Sequence, residues 1–143
     1  MYRLLCRKGL RAPSMKGKIL LRHDRHRRLL YLSPSRASPD AGLGRDVVAY
    51  LRYATQDAEL DVALVFVRPA WRRCGLATRL MRRAIALAGQ RKVTLDDMSD
   101  RYRRPGNIYR RLGFRYVDRD GGPEMAYVAP PTCKRYAKAS VST

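Results

Sequence analysis

The spacing of apolar positions changes character along this chain. Short apolar runs at residues 18–22 and 28–32 flank the basic stretch Asp24-Arg25-His26-Arg27, a pattern that predicts a β-hairpin. Residues 33–45 hold several prolines and glycines and read as a loop. Residues 47–55 and 60–67 are rich in β-branched and aromatic side chains and are joined by Gln56-Asp57-Ala58, so they predict two further strands. From Leu76 the period becomes helical. Leu76, Leu80, Met81, Ala84, Ile85 and Ala88 fall on one face, Arg79, Arg82 and Arg83 lie off it, and Gly89 closes the segment. A short strand at Val93-Thr94-Leu95, a short helix at residues 108–112, and strands at 114–117 and 125–128 complete the pattern. This order of elements implies an α/β (mixed α+β) fold class.

Composition narrows the class further. A chain of 143 residues is one domain, and a 45% hydrophobic content is enough to build a core. The expected boundaries are a basic arm or first strand at 1–15, the folded domain at 16–130 and a basic tail at 131–143. No stretch reaches the ~18 apolar residues of a membrane span. Cys6, Cys74 and Cys133 are scattered, and two histidines share one basic turn, so neither a disulfide framework nor a metal site is implied. An intracellular location, cytoplasmic or nuclear, is the expectation. The first acid is Asp24, and the acid-free N-terminal arm also has the composition of an organelle transit peptide. The net charge of +19 draws a protein toward polyanions, which makes non-specific nucleic-acid binding a second expectation. The arginines follow no nucleic-acid motif, however, and the tyrosines are spread along the chain.

The segment with most chemical content is Val65-Phe66-Val67-Arg68-Pro69-Ala70-Trp71-Arg72-Arg73-Cys74-Gly75-Leu76-Ala77. Pro69 cannot donate to a strand ladder and ends the strand. Gly75 lets the backbone approach a ligand, and the helix after it directs free N–H groups and a positive dipole end at the turn. With Arg72 and Arg73 beside them, these amides suit a pyrophosphate. The plainer reading of Gly75 is a helix-entry turn.

This segment resembles the coenzyme-binding motif of the GNAT superfamily of N-acetyltransferases. Arg72, Gly75 and Ala77 match its Gln/Arg-x-x-Gly-x-Gly/Ala, and Val65, Val67 and Pro69 match the preceding strand. Downstream, Tyr109-Arg110-Arg111-Leu112-Gly113-Phe114 resembles the family's Tyr-x-x-x-Gly-Phe. The resemblance covers residues 46–129 and is poor before them. It implies a central mixed sheet of about six to seven strands with helices on both faces, whose fourth and fifth strands splay apart to admit acetyl-CoA. It also implies a reduced N-terminal part, because the family's helices between its first two strands have no room between Arg22 and Arg28. The reaction implied is direct acetyl transfer from acetyl-CoA, without a metal, to a primary amine of a protein, peptide or small molecule. The competing function is a basic nucleic-acid-binding protein on the same fold, with catalysis lost or secondary.

Residue by residue, the resemblance assigns coenzyme contacts to Val65, Val67, Arg72, Arg73, Cys74, Gly75, Leu76 and Ala77, with a backbone N–H near Val67 facing the thioester carbonyl. Cys74 departs from the arginine or glycine common there, but its amide can still bind phosphate. Tyr109 matches the general acid that protonates the leaving thiolate, which a phenol of pKa ~10 can do unmodified. The other reading of Tyr109 is core packing. An asparagine common seven residues before that tyrosine is replaced by Tyr102, which leaves Asn107, out of register, as a contact for the pantetheine arm. Asp61 falls where histone-acetylating members carry a glutamate base. Glu59 shares its face by two-residue alternation, and a partly buried carboxylate beside a second acid gains proton affinity. Equally, both acids could face solvent at the start of the strand. Nine of the twelve acids cluster at 57–61, 96–100 and 118–124, either as an acidic mouth for a cationic acceptor or as simple neutralisation of a basic surface.

Overall fold

The computed structural model describes residues 18–34 and 46–130. The strands β1 (Ile19–Asp24), β2 (Leu29–Pro34), β3 (Ala49–Gln56) and β4 (Glu59–Val67) come first. They are followed by α1 (Leu76–Ala88), β5 (Lys92–Asp96), α2 (Ile108–Leu112), β6 (Arg115–Tyr116) and β7 (Glu124–Tyr127). All seven strands form one mixed sheet in the order β1-β2-β3-β4-β5-β7-β6. Only β4 and β5 run parallel, joined by the crossover through α1.

The first hairpin turns through Arg25–Arg28. Arg27 N–H donates to Asp24 Oδ1 at 3.0 Å, and Arg28 takes the left-handed region at φ 53°. No helix separates these strands, in keeping with the reduced N-terminal part. Ser33 and Pro34, read from sequence as loop, continue β2 because Ile19 and Leu20 pair with them. The rest of that loop, the arm at 1–15 and the tail at 131–143 lie outside the described residues.

The apolar stripe of α1 packs Leu76, Leu80, Met81, Ala84 and Ala88 against Leu30, Leu32, Leu51, Leu60, Val62, Val93 and Leu95 of the sheet. Leu80 is fully buried, so truncating it to Ala should cost about 2–5 kcal/mol. Phe114, from the short second motif, fills the same core with Tyr109 and Tyr127 at its edges. Leu64 and Phe66, on the opposite side of β4, are 45% and 37% exposed.

Two irregularities in β4 open the sheet beside it. The register with β3 slips between Arg52 and Tyr53, leaving Ala63 without a partner between Val62 and Leu64. Pairing with β5 covers only residues 59–62, while β4 runs on to Val67 with β3 alone. Beyond Leu95 the other strand turns toward β7, where Asp97 N–H donates to the Pro123 carbonyl at 2.8 Å. The two parallel strands therefore splay.

Candidate active site

The gap between β4 and β5 opens into a cleft of about 810 Å³. One wall is the free edge of β4. Arg68 N–H donates to the Val48 carbonyl just before β3, so strand alternation turns the N–H groups of Val65 and Val67 the other way, into the gap. At one end the chain passes through a short 3₁₀ turn, Pro69–Trp71, and enters α1 through a turn with Arg73 at φ 64° and Gly75 at φ 77°. Gly75 is the N-cap and has no side chain to bond the first amides. The first backbone bond back to this cap comes from Arg79 at 3.0 Å, which leaves the amides of Leu76, Ala77 and Thr78 facing the cleft without an intrahelical partner. A Cβ at Gly75 would meet nothing within 4 Å. The space there is open to a ligand.

Arg72 and Arg73 lie on this side and Arg101 and Arg111 on the other, and no acid lines the cleft. Arg72 is oriented by its Nε, which donates to the Val67 carbonyl at 3.1 Å. Four guanidiniums and a row of amides form a donor set for phosphate groups.

Tyr109 faces the cleft from α2. Burial first, and the Asp97 carboxylate second, push its phenol above the ordinary tyrosine range, so the hydroxyl keeps its proton at neutral pH. Its ring packs edge-on against Phe114 with centroids 6.2 Å apart. The backbone beneath it is fixed by a buried polar chain. Asn107 caps α2, its Oδ1 accepting from the amides of Tyr109 and Arg110 at 2.9 and 3.2 Å. Its Nδ2 donates to Asp97 Oδ2 at 2.8 Å and to the Arg101 carbonyl at 3.0 Å. Asp97 also accepts from Ser99 and from the Tyr116 hydroxyl. Burial raises the proton affinity of Asp97, but these hydrogen bonds outweigh it, and the carboxyl is held below its ordinary range. Arg103 closes the network. It lies 4.4 Å from the Tyr116 ring centroid and donates to the carbonyls of Asp118 and Gly122, tying the loop before α2 to the β6–β7 hairpin.

Of the sequence candidates, Val65, Val67, Arg72, Arg73, Gly75, Leu76, Ala77 and Tyr109 meet in the cleft. Asn107 does not. Both donors and both acceptor positions of its amide are used within the protein, so it acts as a helix cap in place of the expected pantetheine contact. Cys74 is exposed outside the lining, with its thiol 3.7 Å from the Arg72 carbonyl. Asp61 and Glu59 stand at the start of β4, about four and six residues, or ~13 and ~20 Å, along the strand from Val65. Asp61 is exposed and accepts from Thr94 Oγ1 at 3.0 Å, and Glu59 pairs with Lys92 at 2.5 Å. The burial and like-charge crowding expected of a base are therefore absent there. Two of the acidic patches do meet, Asp96 opposite Glu124, but away from the cleft lining. Sequence reasoning missed Phe66, Trp71, Thr78, Arg101, Ile108 and Arg111. Thr78 was within reach as the next helix amide, whereas Arg101 and Arg111 carry no local signal.

The sequence profile of the acetyltransferase (GNAT) domain matches residues 40–116, more than half of the chain. The chain belongs to the GNAT acetyltransferase family. Solved structures agree at the level of the fold. PaiA N-acetyltransferase from Thermoplasma acidophilum, in complex with coenzyme A, superposes with a TM-score of 0.54 at 12% identity. The match covers 71% of this chain and 60% of that one. The Bacillus subtilis N-acetyltransferase YlbP, also with coenzyme A, gives 0.53 at 11% identity, covering 71% and 68%. A protein from Deinococcus radiodurans R1 gives 0.49 at 23% identity, covering 63% of this chain and 56% of its own. The GNAT chain thus spans less than two thirds of the length of some relatives it matches. No curated protein sequence matches it.

Proposed function

We propose that this GNAT protein binds acetyl-CoA in the cleft and transfers the acetyl group directly to a primary amine of a small molecule, peptide or protein. The observation that carries this reading is the unpaired edge of β4 opening beside the uncapped start of α1. Inward-facing backbone amides and four arginines there offer a long, phosphate-bearing thioester donors along its whole length. The amides of residues 76–78 and the guanidiniums suit the phosphates. The Val65 and Val67 N–H groups suit the pantetheine and the thioester oxygen, where they would stabilise negative charge as it develops.

In the reaction, the amine nitrogen attacks the thioester carbon, the C–S bond breaks, and the thiolate takes a proton. Tyr109 is the donor of that proton, because its raised pKa keeps the hydroxyl protonated and its side chain lines the cleft. The amine must arrive neutral, since no carboxylate of the cleft lining is there to deprotonate its ammonium form. The proton the nitrogen sheds as the amide forms restores the Tyr109 hydroxyl, so the step balances. A base is therefore not assigned to Asp61 or Glu59. The decisive experiment is calorimetric titration with acetyl-CoA followed by a thiol-release screen of amines. Binding should raise the melting temperature, since a ligand held at 100 times its Kd stabilises the native state by ~2.7 kcal/mol. Absence of acetyl-CoA binding would overturn the reading.

A further inference from the structure

Residues far apart in sequence meet on the sheet face opposite α1. Strand register sets Tyr31 beside Tyr50 and Tyr50 beside Phe66, one aromatic row across β2, β3 and β4. Tyr50 and Phe66 rings lie 5.4 Å apart at 38°, and Tyr31 and Tyr50 are part-exposed. Phe66 also lines the cleft, so the row begins at the mouth of the active site. The next pair on the same face is Arg52 opposite Leu64, two residues or ~7 Å along. Arg52 and Leu64 in turn line a second groove, of about 720 Å³, whose other walls include His26, Arg27 and Arg28. No acid lines that groove. Two acids flank it. Asp24, at the end of β1, already accepts from the Arg27 amide and lies 3.8 Å from its guanidinium. Asp61, cross-strand partner of the lining residue Ala54, already accepts from Thr94 Oγ1 at 3.0 Å.

We propose that this face docks single-stranded nucleic acid, with phosphates in the basic groove and unstacked bases on the aromatic row. Two features select this occupant. Arginines bounding a groove without carboxylates match a string of phosphates, and the +19 charge of the chain favours the same partner. The aromatic row separates it from an acidic peptide, which has charge but no π-faces to stack, and a sheet face with part-exposed rings suits splayed bases better than a closed duplex. Arg52 stands ~7 Å along β3 from Tyr50, which sets a phosphate contact beside the aromatic row. A strand held this way reaches the cleft mouth at Phe66. The inference stands independently of acetyl transfer.

Fluorescence anisotropy with a labelled 12-nucleotide single-stranded oligomer, titrated with salt, tests it. The native protein should bind at low salt with a log–log slope of about −0.7 for each phosphate contacted. The Arg27→Gln, Arg28→Gln, Arg52→Gln triple variant should lose about two units of that slope. Tyr31→Leu and Tyr50→Leu, which keep bulk and remove the ring, should each weaken binding by roughly 5- to 150-fold with the slope unchanged. Acetyl-CoA titration of the same variants should match the native protein, which also shows them folded. Equal affinity for polyglutamate or for duplex of the same length would overturn the proposal, as would a native slope in the triple variant. Failure to bind acetyl-CoA with oligomer binding intact would instead count against the proposed catalytic function alone.

Discussion

Replacing Tyr109 with Phe removes one oxygen from the cleft and leaves the ring where Phe114 holds it, with centroids 6.2 Å apart. Among the described residues the hydroxyl makes no hydrogen bond, so its removal breaks no internal contact, and the stability change should stay within ~1 kcal/mol. The chemical consequence is far larger. In the proposed mechanism the departing thiolate loses its proton donor, a loss that typically costs 10²–10⁴-fold in rate. Turnover should therefore fall by that factor with a proven amine, while calorimetry returns an acetyl-CoA affinity within about twofold of the native protein. The pH profile gives an independent check. Because burial and Asp97 raise the phenol pKa, its protonated form persists to above the ordinary tyrosine value of ~10. Native turnover should thus show no loss from this group between pH 7 and 9. The sign for stability follows the same direction. A raised folded pKa stabilises fully below the unfolded value and ceases to do so as pH rises through the folded one, so the Phe variant lacks this alkaline decline. Unchanged turnover in Tyr109→Phe, with acetyl-CoA bound normally, would make the residue a packing element and refute the assignment.

Gly75→Glu should weaken acetyl-CoA at least tenfold by putting a carboxylate where phosphate is expected. Gly75→Ala, which carries the same ~1–2 kcal/mol left-handed strain without the charge, should retain most of the affinity; calorimetry of the pair separates the effects. Asn107→Ala should lower the unfolding free energy by ~1–3 kcal/mol in urea titrations, because it removes the cap of α2 and one donor to Asp97. Asp97 titrates below its ordinary value, so its stabilisation is present above pH ~4 and fades as pH falls through the lower folded value; melting curves from pH 3 to 7 should show a flatter acid limb in Asp97→Asn.

Contiguous signals were legible from the start. The β-branched and aromatic run in residues 60–67, the proline at 69 and the 3.6-residue stripe from Leu76 predict a strand, a stop and a helix, because each depends on neighbours along the chain. The turn proposed to bind phosphate could be named for the same reason: its amides come from one uninterrupted segment. Strand ends were less legible. Ser33 and Pro34 look like loop until Ile19 and Leu20 pair with them. Asn107 had the right chemistry for a ligand contact, and only the approach of Asp97 and Arg101 in space used up its amide. Glu59 looked like a partner for Asp61 until parallel pairing set Lys92 opposite it. The aromatic row is the clearest case. Tyr31, Tyr50 and Phe66 have no periodic relation in sequence, and antiparallel register alone makes them neighbours. Local sequence determines the conformation of a segment through short-range sterics and hydrogen bonds. Which side chains share a face depends on strand pairing across long loops, and that is decided by the whole folded chain.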